Sequence, residues 1–523
     1  MSQTSTPAAP PVLIVGGRTT GLMLAIELTR QEIPVRIIDA SPGIDPHSRA
    51  TLIHVRSLEL LQRLGLGEVI RRDGQADEGI RVFVDGAFHR RQPDPPVESP
   101  FPTGIAYSQA KLEGLLEAHL KSLGVTVERS TKLVGLSQDD SGVRAVLQGP
   151  DGAEELVACE WLVGCDGAHS STRHLLGLGF PGEDSRYPYL LADVVIEGAD
   201  HLSDAYYFLH PSGDLFFFLL DDGRRLICAS LPEEHDTSRP PSLEAVQALV
   251  AERGGPDYRL SDPLWLANFR IRYRLVEAYR QGRVFLAGDA AHLNSLLGGL
   301  GMNTGLQDAC NLAWKLALVV RGIADPALLD SYGKERRPVA ADVIEVSKSI
   351  TEPGERYPFL DEAAREALIA DLFPAADQVP VMRRHLEELD ISYAVSPLCL
   401  DRARTGGLRA GDQARNVTGL VCDGTPRSLF DLLDGTAHRL LIFAPSAAAV
   451  DPAGDWIEPL LVAPGRLETE GLRHVQDPEG RLLAAFGLPE RGLVLIRPDG
   501  YIAFRSERLD DLPRYLATLP LTA

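Results

Sequence analysis

Near the N-terminus, Gly16-Gly17-Arg18-Thr19-Thr20-Gly21 follows the apolar run Val12-Leu13-Ile14-Val15 and precedes a helical pattern with Leu22, Ala25, Ile26 and Thr29 on one face. A dinucleotide fold asks for Gly-x-Gly-x-x-Gly at such a junction. The first glycine makes the turn, the second admits pyrophosphate, and the third lets helix pack on strand. Gly16 and Gly21 supply the first and third, while Arg18 stands at the second. A second apolar strand, Val35 to Ile38, ends in Asp39, an acidic residue placed to hold a ribose hydroxyl. By itself this loop suits a structural turn as well as a nucleotide site. Arg18 either adds a guanidinium to the phosphates or crowds them.

Two further loops carry chemistry. Gly164-Cys165-Asp166-Gly167-Ala168-His169-Ser170-Ser171-Thr172-Arg173 follows the buried strand Trp161-Leu162-Val163. It is either a polar turn with Ser170 at a helix start, or a phosphate- and ribose-facing loop with Arg173 as its cation. Val284-Phe285-Leu286-Ala287 leads into Gly288-Asp289-Ala290-Ala291-His292 and then Gly298-Gly299-Leu300-Gly301-Met302-Asn303. Asp289 lies at the carboxyl end of a parallel strand, where α/β proteins place ligand-facing groups. The glycines offer backbone N–H groups at a helix N-terminus, which favours negative charge; a reduced flavin ring, anionic around N1 and the C2 carbonyl, fits. His292 is read first as a structural histidine near a turn, with acid–base catalysis as the alternative.

These loops need a parallel α/β core, and the chain is large enough for one. At roughly 150 residues per domain, 523 residues predict about three domains. Between about 185 and 275 the pattern changes to strands: Tyr189 to Ile196, Ala205 to Leu209, Leu215 to Leu220 and Arg225 to Ser230, with turns at Pro211-Ser212-Gly213 and Asp222-Gly223. A long helix is expected from Met302 to Val320, charged helices over 351–395, and strands again at Arg439 to Phe443, Leu460 to Val462 and Gly492 to Ile496. The net charge of -21 and the scattered arginines, with only six lysines, exclude a nucleic-acid partner. No apolar run approaches the length of a membrane span, and the polar, proline-rich start has no signal-peptide pattern. The six cysteines form no CxxC pair and no metal-ligand spacing, so no metal is expected and the thiols read as buried and free in a reducing cytoplasm.

Taken in order, the three loops make the chain resemble the FAD-dependent aromatic hydroxylases. These are the single-component flavoprotein monooxygenases of the para-hydroxybenzoate and phenol hydroxylase type. It is most similar to bacterial polyketide and 3-(3-hydroxyphenyl)propionate hydroxylase-like members. Asp166 to Arg173 matches a DGxxSxxR motif associated with FAD and the nicotinamide cofactor, and Gly288 to His292 a GDAAH motif whose aspartate binds the ribityl chain. Gly298 to Lys315 is similar to the helix beside the flavin, Ser48-Arg49-Ala50 and Arg56 to Glu59 to an FAD-facing segment, and Gln109 to a glutamine that contacts FAD. The resemblance implies an α/β fold: a Rossmann-like FAD-binding domain (11–184 and 276–345), an inserted antiparallel-sheet substrate domain (185–275), a helical connection (346–404) and a C-terminal thioredoxin-like domain (405–523) after a tail of residues 1–10. The last domain lacks CxxC and is expected to be structural.

The implied cofactor ligands are Gly16, Gly17, Arg18, Thr20, Gly21, Asp39, Arg49, Gln109, Asp166, Gly167, Arg173, Asp289, Gly299, Leu300, Gly301, Met302 and Asn303. The implied reaction is hydroxylation of a small aromatic substrate with NADPH or NADH and O2, through a flavin C4a-hydroperoxide, in a cytoplasmic protein that forms a homodimer. Tyr206, Tyr207, His210 and the Phe216 to Phe218 run, with Phe217 at its centre, are expected to line the pocket, although aromatics favour strands in any case. No general base is named. The chain departs from the family at Arg18, at Thr19 where proline is usual, and at Ser295-Leu296 where Pro-Pro is common. The rival readings are a Baeyer–Villiger enzyme, epoxidase or oxidase on the same scaffold, and a catalytically impaired binding protein.

Overall fold

Parallel pairing of short, wholly buried strands builds the centre of the molecule. The computed structural model describes residues 10–47, 50–372, 379–444, 454–466 and 472–522. A five-stranded sheet runs in the order Arg280–Gln281, Val284–Leu286, Trp161–Gly164, Val12–Val15, Val35–Ile38. Val15 pairs with both Gly164 and Ile38, and Gly164 with Leu286, so four strands end level at one edge. Helices Thr19–Arg30 and Leu300–Val320 pack on this sheet, burying Leu22, Leu24, Ile26, Leu306, Leu312 and Leu316. Among the described residues, no helix is long and apolar enough to cross a membrane.

An eight-stranded sheet stands beside it, in the order His292–Leu293, Arg259–Leu275, Gly182–Glu197, Arg225–Ser230, Leu215–Leu219, Asp204–Leu209, Gly79–Val84, Ala87–Pro93. The sheet therefore outgrows the 185–275 range expected for it. The Gly79–Pro93 hairpin, closed at Asp85-Gly86, joins in parallel to Asp204–Leu209. That hairpin was hidden because its arginines and exposed residues break the apolar alternation a buried strand shows. The boundary expected at residue 345 also falls inside a single helix, Asp330–Arg356, which runs from the first sheet to the face of the second.

The C-terminal part contains another eight-stranded sheet, of mixed direction: Leu400–Asp401, Ile502–Ser506, Gly492–Ile496, His438–Phe443, Ile457–Ala463, Arg473–Gln476, Leu420–Cys422, Thr425–Arg427. A buried ionic cluster ties it to the two long helices. Arg497 holds Glu335 at 2.8 and 2.9 Å, Lys315 Nζ reaches the same carboxylate at 2.7 Å, and Ser396 donates to it at 2.6 Å. Lys315 and Arg497 are 0% exposed and Glu335 1%. Removing one member leaves an uncompensated buried charge. Burial alone would raise the Glu335 carboxyl, yet Arg497 and Lys315 hold it well below its ordinary 4.5. A depressed carboxylate stabilises the fold fully above its unfolded value and loses that contribution as pH falls. Glu335→Gln should therefore cost about 3 kcal/mol in neutral-pH denaturation and flatten the loss of stability below pH ~4.5; an unchanged acid limb would remove Glu335 from that role.

Candidate functional site: three loops at one sheet edge

Because the strands end level, Gly16, Asp39, Asp166 and Gly288-Asp289 leave the sheet side by side. Gly16 has φ +111°, and a Cβ there would lie 2.2 Å from the Cys165 carbonyl oxygen, so the turn demands glycine. At Gly21 a Cβ would collide with the Gly16 carbonyl oxygen. Thr20 packs between Gly288 and Gly305. Gly17 N–H donates to Asp39 Oδ2 at 2.6 Å, and the other carboxylate oxygen accepts from Ser41 N–H at 2.7 Å. Asp39 thus orders the glycine loop itself.

Arg18 adopts φ -100°, a conformation open to any residue, so the backbone does not require glycine there. Its side chain, 39% exposed, turns to Asp45, with Nη2 to Oδ2 at 2.9 Å. Partial burial works against the Asp45 charge, but hydrogen bonds from His47 and Arg18 bring its carboxyl down to about 2. The helix behind Arg18 has no side-chain cap, in contrast to Gln109–Ser122 and Leu243–Arg253, which are capped by Ser108 and Ser242. Glu113 takes the Thr19 N–H, and the other first-turn N–H groups suit an external acceptor such as phosphate.

In the second loop Asp166 accepts from Ser170 Oγ at 2.5 Å and from Thr172 N–H at 2.9 Å, while Gly167 turns the chain with positive φ. Arg173 is not a free cation. It is 3% exposed, donates to the carbonyls of Ala290 and Ala168 at 3.0 and 2.9 Å, and lies 4.0 Å over the Phe180 ring. Arg173 thereby ties the second loop to the third.

In the third loop Asp289 is exposed at the sheet edge. His292 is buried, its Nε2 2.9 Å from Asp308 Oδ2, which also accepts Gly288 N–H at 3.1 Å; Arg336 Nε reaches Asp308 Oδ1 at 2.7 Å. Burial alone would raise the Asp308 carboxyl, but Arg336 and His292 hold it below its ordinary range. His292 is accordingly structural. Gly298 and Gly299, at φ +89° and +67°, lead into the Leu300 helix, which also lacks a side-chain cap. Asn303 clamps this turn: Nδ2 donates to Gly299 and Leu52 carbonyls at 2.7 and 3.0 Å, and Oδ1 accepts His54 N–H at 3.0 Å. Gly301 and Met302 are half-buried in the same first turn, and Leu300 is buried. Ser295 is buried as well, bonded to Thr351 at 3.1 Å.

Gln109 opens its helix beside the glycine loop and donates to Glu113 at 2.8 Å; Thr19 Oγ donates to the same oxygen at 3.2 Å. Burial raises the Glu113 carboxyl against these bonds. Arg49 lies outside the described residues.

The aromatic strand residues divide by pleat. Tyr207 and Phe216 face inward with Tyr189, Leu297, Ile344 and Tyr357, toward the Asp330–Arg356 helix and the 295–297 loop. Tyr206 and Phe217 point the other way, onto Val246 and Val250 of the outer helix. Those two expectations for the pocket are corrected, since alternate residues of a strand cannot share one face. His210 sits at the hairpin end, 2.8 Å from Ser212 Oγ.

Sequence reasoning missed His54, Glu113, Asp308, Arg336 and Glu387. For Asp308 there was a signal: an acidic residue amid the apolar positions of the Leu300 helix. The other four have meaning only through partners distant in sequence.

An α/β protein with two uncapped helix N-termini and a carboxylate at one sheet edge is built for a dinucleotide. Residues 10–347 match the model of a family described as FAD binding domain. The chain belongs to it, among the FAD-dependent aromatic hydroxylases, and is an FAD-dependent monooxygenase. It is 33% identical to 6-methylpretetramide 4-monooxygenase of Streptomyces rimosus, over 95% of this chain and 91% of that protein. Pentachlorophenol 4-monooxygenase of Sphingobium chlorophenolicum is 32% identical, over 95% and 93%. The structure of aklavinone-11 hydroxylase, in a ternary complex with FAD and aklavinone, superposes with TM-score 0.79 at 27% identity, covering 98% of this chain and 99% of that one.

Since Arg18 engages Asp45 in a partly exposed pair worth under about 1 kcal/mol, Arg18→Gly should leave the FAD dissociation constant within about threefold, measured by fluorescence quenching. Tenfold weaker binding would show that the guanidinium reaches the phosphates, and tenfold tighter binding that it crowds them.

Proposed function

We propose that this protein hydroxylates an aromatic substrate, phenolic or polyketide-like, using NADPH or NADH and O2. The observation that carries this is the convergence of the three loops on one sheet edge, next to an aromatic wall that the second sheet turns toward them. The activities of the relatives, on 6-methylpretetramide, pentachlorophenol and aklavinone, support the substrate class. FAD, when bound, supplies hydride acceptance from the nicotinamide and activation of O2. The chain's part is to bind, orient and dry the site. We assign pyrophosphate to the first turn of the Thr19–Arg30 helix, the ribityl chain to Asp289, and the flavin ring to the Gly298–Asn303 turn. Leu297, Ile344, Tyr207 and Phe216 would exclude water around the substrate.

The same reading takes the second sheet, 185–275 enlarged by the 79–93 hairpin, as the substrate domain. It takes the C-terminal sheet as a thioredoxin-like unit without redox activity: its pairing is mixed, and the nearby Cys399 thiol is pushed up to about 11 by burial. A homodimer and a cytoplasmic location, the latter in keeping with free cysteines, belong to this reading too.

The purified protein should be yellow, or become so with FAD, and should oxidise NADPH or NADH when a phenol or polycyclic aromatic is added, with a product one oxygen heavier. A protein that gains no flavin spectrum would sink the enzyme reading. Ring-expanded or epoxide products would move it to the rival chemistries. The two sheet faces make a separate expectation. Tyr207→Leu should change which aromatics stimulate NADPH oxidation while FAD binding is kept. Tyr206→Leu should leave that preference alone and lower stability by about 1–3 kcal/mol, since its ring packs on Phe83, Phe217 and Tyr258.

A further inference from the structure

A histidine supports the turn before the Leu300 helix from behind. His54 is 2% exposed; its Nε2 lies 2.8 Å from the Gly298 carbonyl oxygen and its Nδ1 3.3 Å from Glu387 Oε2. A carbonyl oxygen can only accept. Glu387 Oε2 also accepts Val55 N–H at 2.6 Å, and its other oxygen pairs with Arg383, so this carboxylate is ionised and accepts too. With acceptors at both ring nitrogens, both must carry hydrogen, and only the imidazolium does. The requirement follows from geometry alone.

That cation touches the glycine turn. A Cβ on Gly299 would lie 3.5 Å from His54 Nε2. The His54 N–H is bound by Asn303 Oδ1, and Asn303 Nδ2 in turn binds the Gly299 carbonyl. Imidazolium, turn and uncapped helix end thus form one rigid assembly, with the carboxylates on its far side.

We propose that His54 is a positioning residue that fixes a positive charge behind the Gly298–Gly299 turn and thereby stabilises the anionic, reduced flavin ring at the end of the Leu300 helix. The inference rests on the assignment of the flavin ring to that turn. The charged groups around the imidazolium are Glu387 and Glu388, Asp77, Asp94 and Arg383. Arg383 bridges Glu387 and Asp94, the latter at 2.5 Å, and Glu388 is held by Thr304 and Gln307 at 3.1 and 2.8 Å. Burial opposes the His54 charge, but Glu387, Glu388 and the Gly298 carbonyl together raise its proton affinity. Burial, with Asp94 beside it, pushes the Asp77 carboxyl up to about 7.

The test uses the full chain loaded with FAD, as wild type, His54→Gln and Glu387→Gln. Glutamine at 54 keeps a donor for the Gly298 carbonyl and loses the charge. Oxidised FAD should bind His54→Gln within about threefold of wild type, while reduced FAD binds at least about tenfold more weakly. For a two-electron couple, a tenfold difference between the two forms lowers the midpoint potential by about 30 mV, read by dye-equilibrated reduction. Glu387→Gln removes the carboxylate that faces Nδ1, so the potential of that variant should fall toward that of His54→Gln as pH rises. An unshifted potential in His54→Gln with FAD bound overturns the inference and leaves the proposed function standing. Equal weakening of oxidised and reduced binding overturns it as well, since that marks a merely structural role. A wild type that binds no FAD overturns inference and function together.

Discussion

The Asp308 carboxylate is the constraint on which the site depends. It is buried on the Leu300 helix, takes the Gly288 N–H and the His292 ring on one oxygen, and takes Arg336 on the other. Arg336 also donates to Tyr393 Oη and to the Thr304 carbonyl, so one guanidinium joins two long helices and the connection that follows them. The loop that presents Asp289 is therefore set by a charge behind it as well as by the sheet it leaves. Breaking a buried pair of this kind costs about 3–5 kcal/mol, which makes the loop as rigid as the core. A rigid loop is what a reaction requiring fixed donors asks of its scaffold.

Arg336 has a neighbour with the complementary task. Glu335, the preceding residue of the same helix, turns to Lys315 and Arg497 and so holds the C-terminal sheet. Adjacent residues thus point one way to the cofactor loop and the other way to the C-terminal part. Arg56 and Arg63 extend this seam by donating to the Asp499 and Pro498 carbonyls. The C-terminal sheet is thereby joined to the helices that frame the site. Its lack of a redox motif is consistent with that supporting position.

Much of this was legible in the residues. The apolar strands that end in Gly16, Asp166 and Gly288 announced both their burial and the edge where they stop, because strands covered on both faces show uninterrupted apolar runs. The long Leu300 helix was legible for its glycine start. Strand alternation was legible in principle, yet Tyr206 and Tyr207 could not be assigned to inner and outer faces until the outer helix was seen to cover Tyr206. Other features were out of reach for a physical reason. His54 and Glu387, like Thr19 and Glu113, become partners only when distant segments meet, and no local periodicity records such a meeting.

The charge of the chain takes on a different meaning through these contacts. A net charge of -21 is unfavourable overall for a cofactor carrying phosphates, and the sequence offers Arg18 and Arg173 as local cations. Yet Arg173 faces carbonyl oxygens and Arg18 faces Asp45. Beside them the described site offers backbone donors at the sheet edge: two helix N-termini whose cap residues make no side-chain hydrogen bond. Such donors do not swing away or exchange with solvent ions, as exposed side chains do. An acidic surface and an anion site are compatible when the site is built from N–H groups fixed by buried carboxylates. The acidity that seemed to oppose cofactor binding then includes, in Asp39, Asp308 and Glu387, the groups that hold those donors in place.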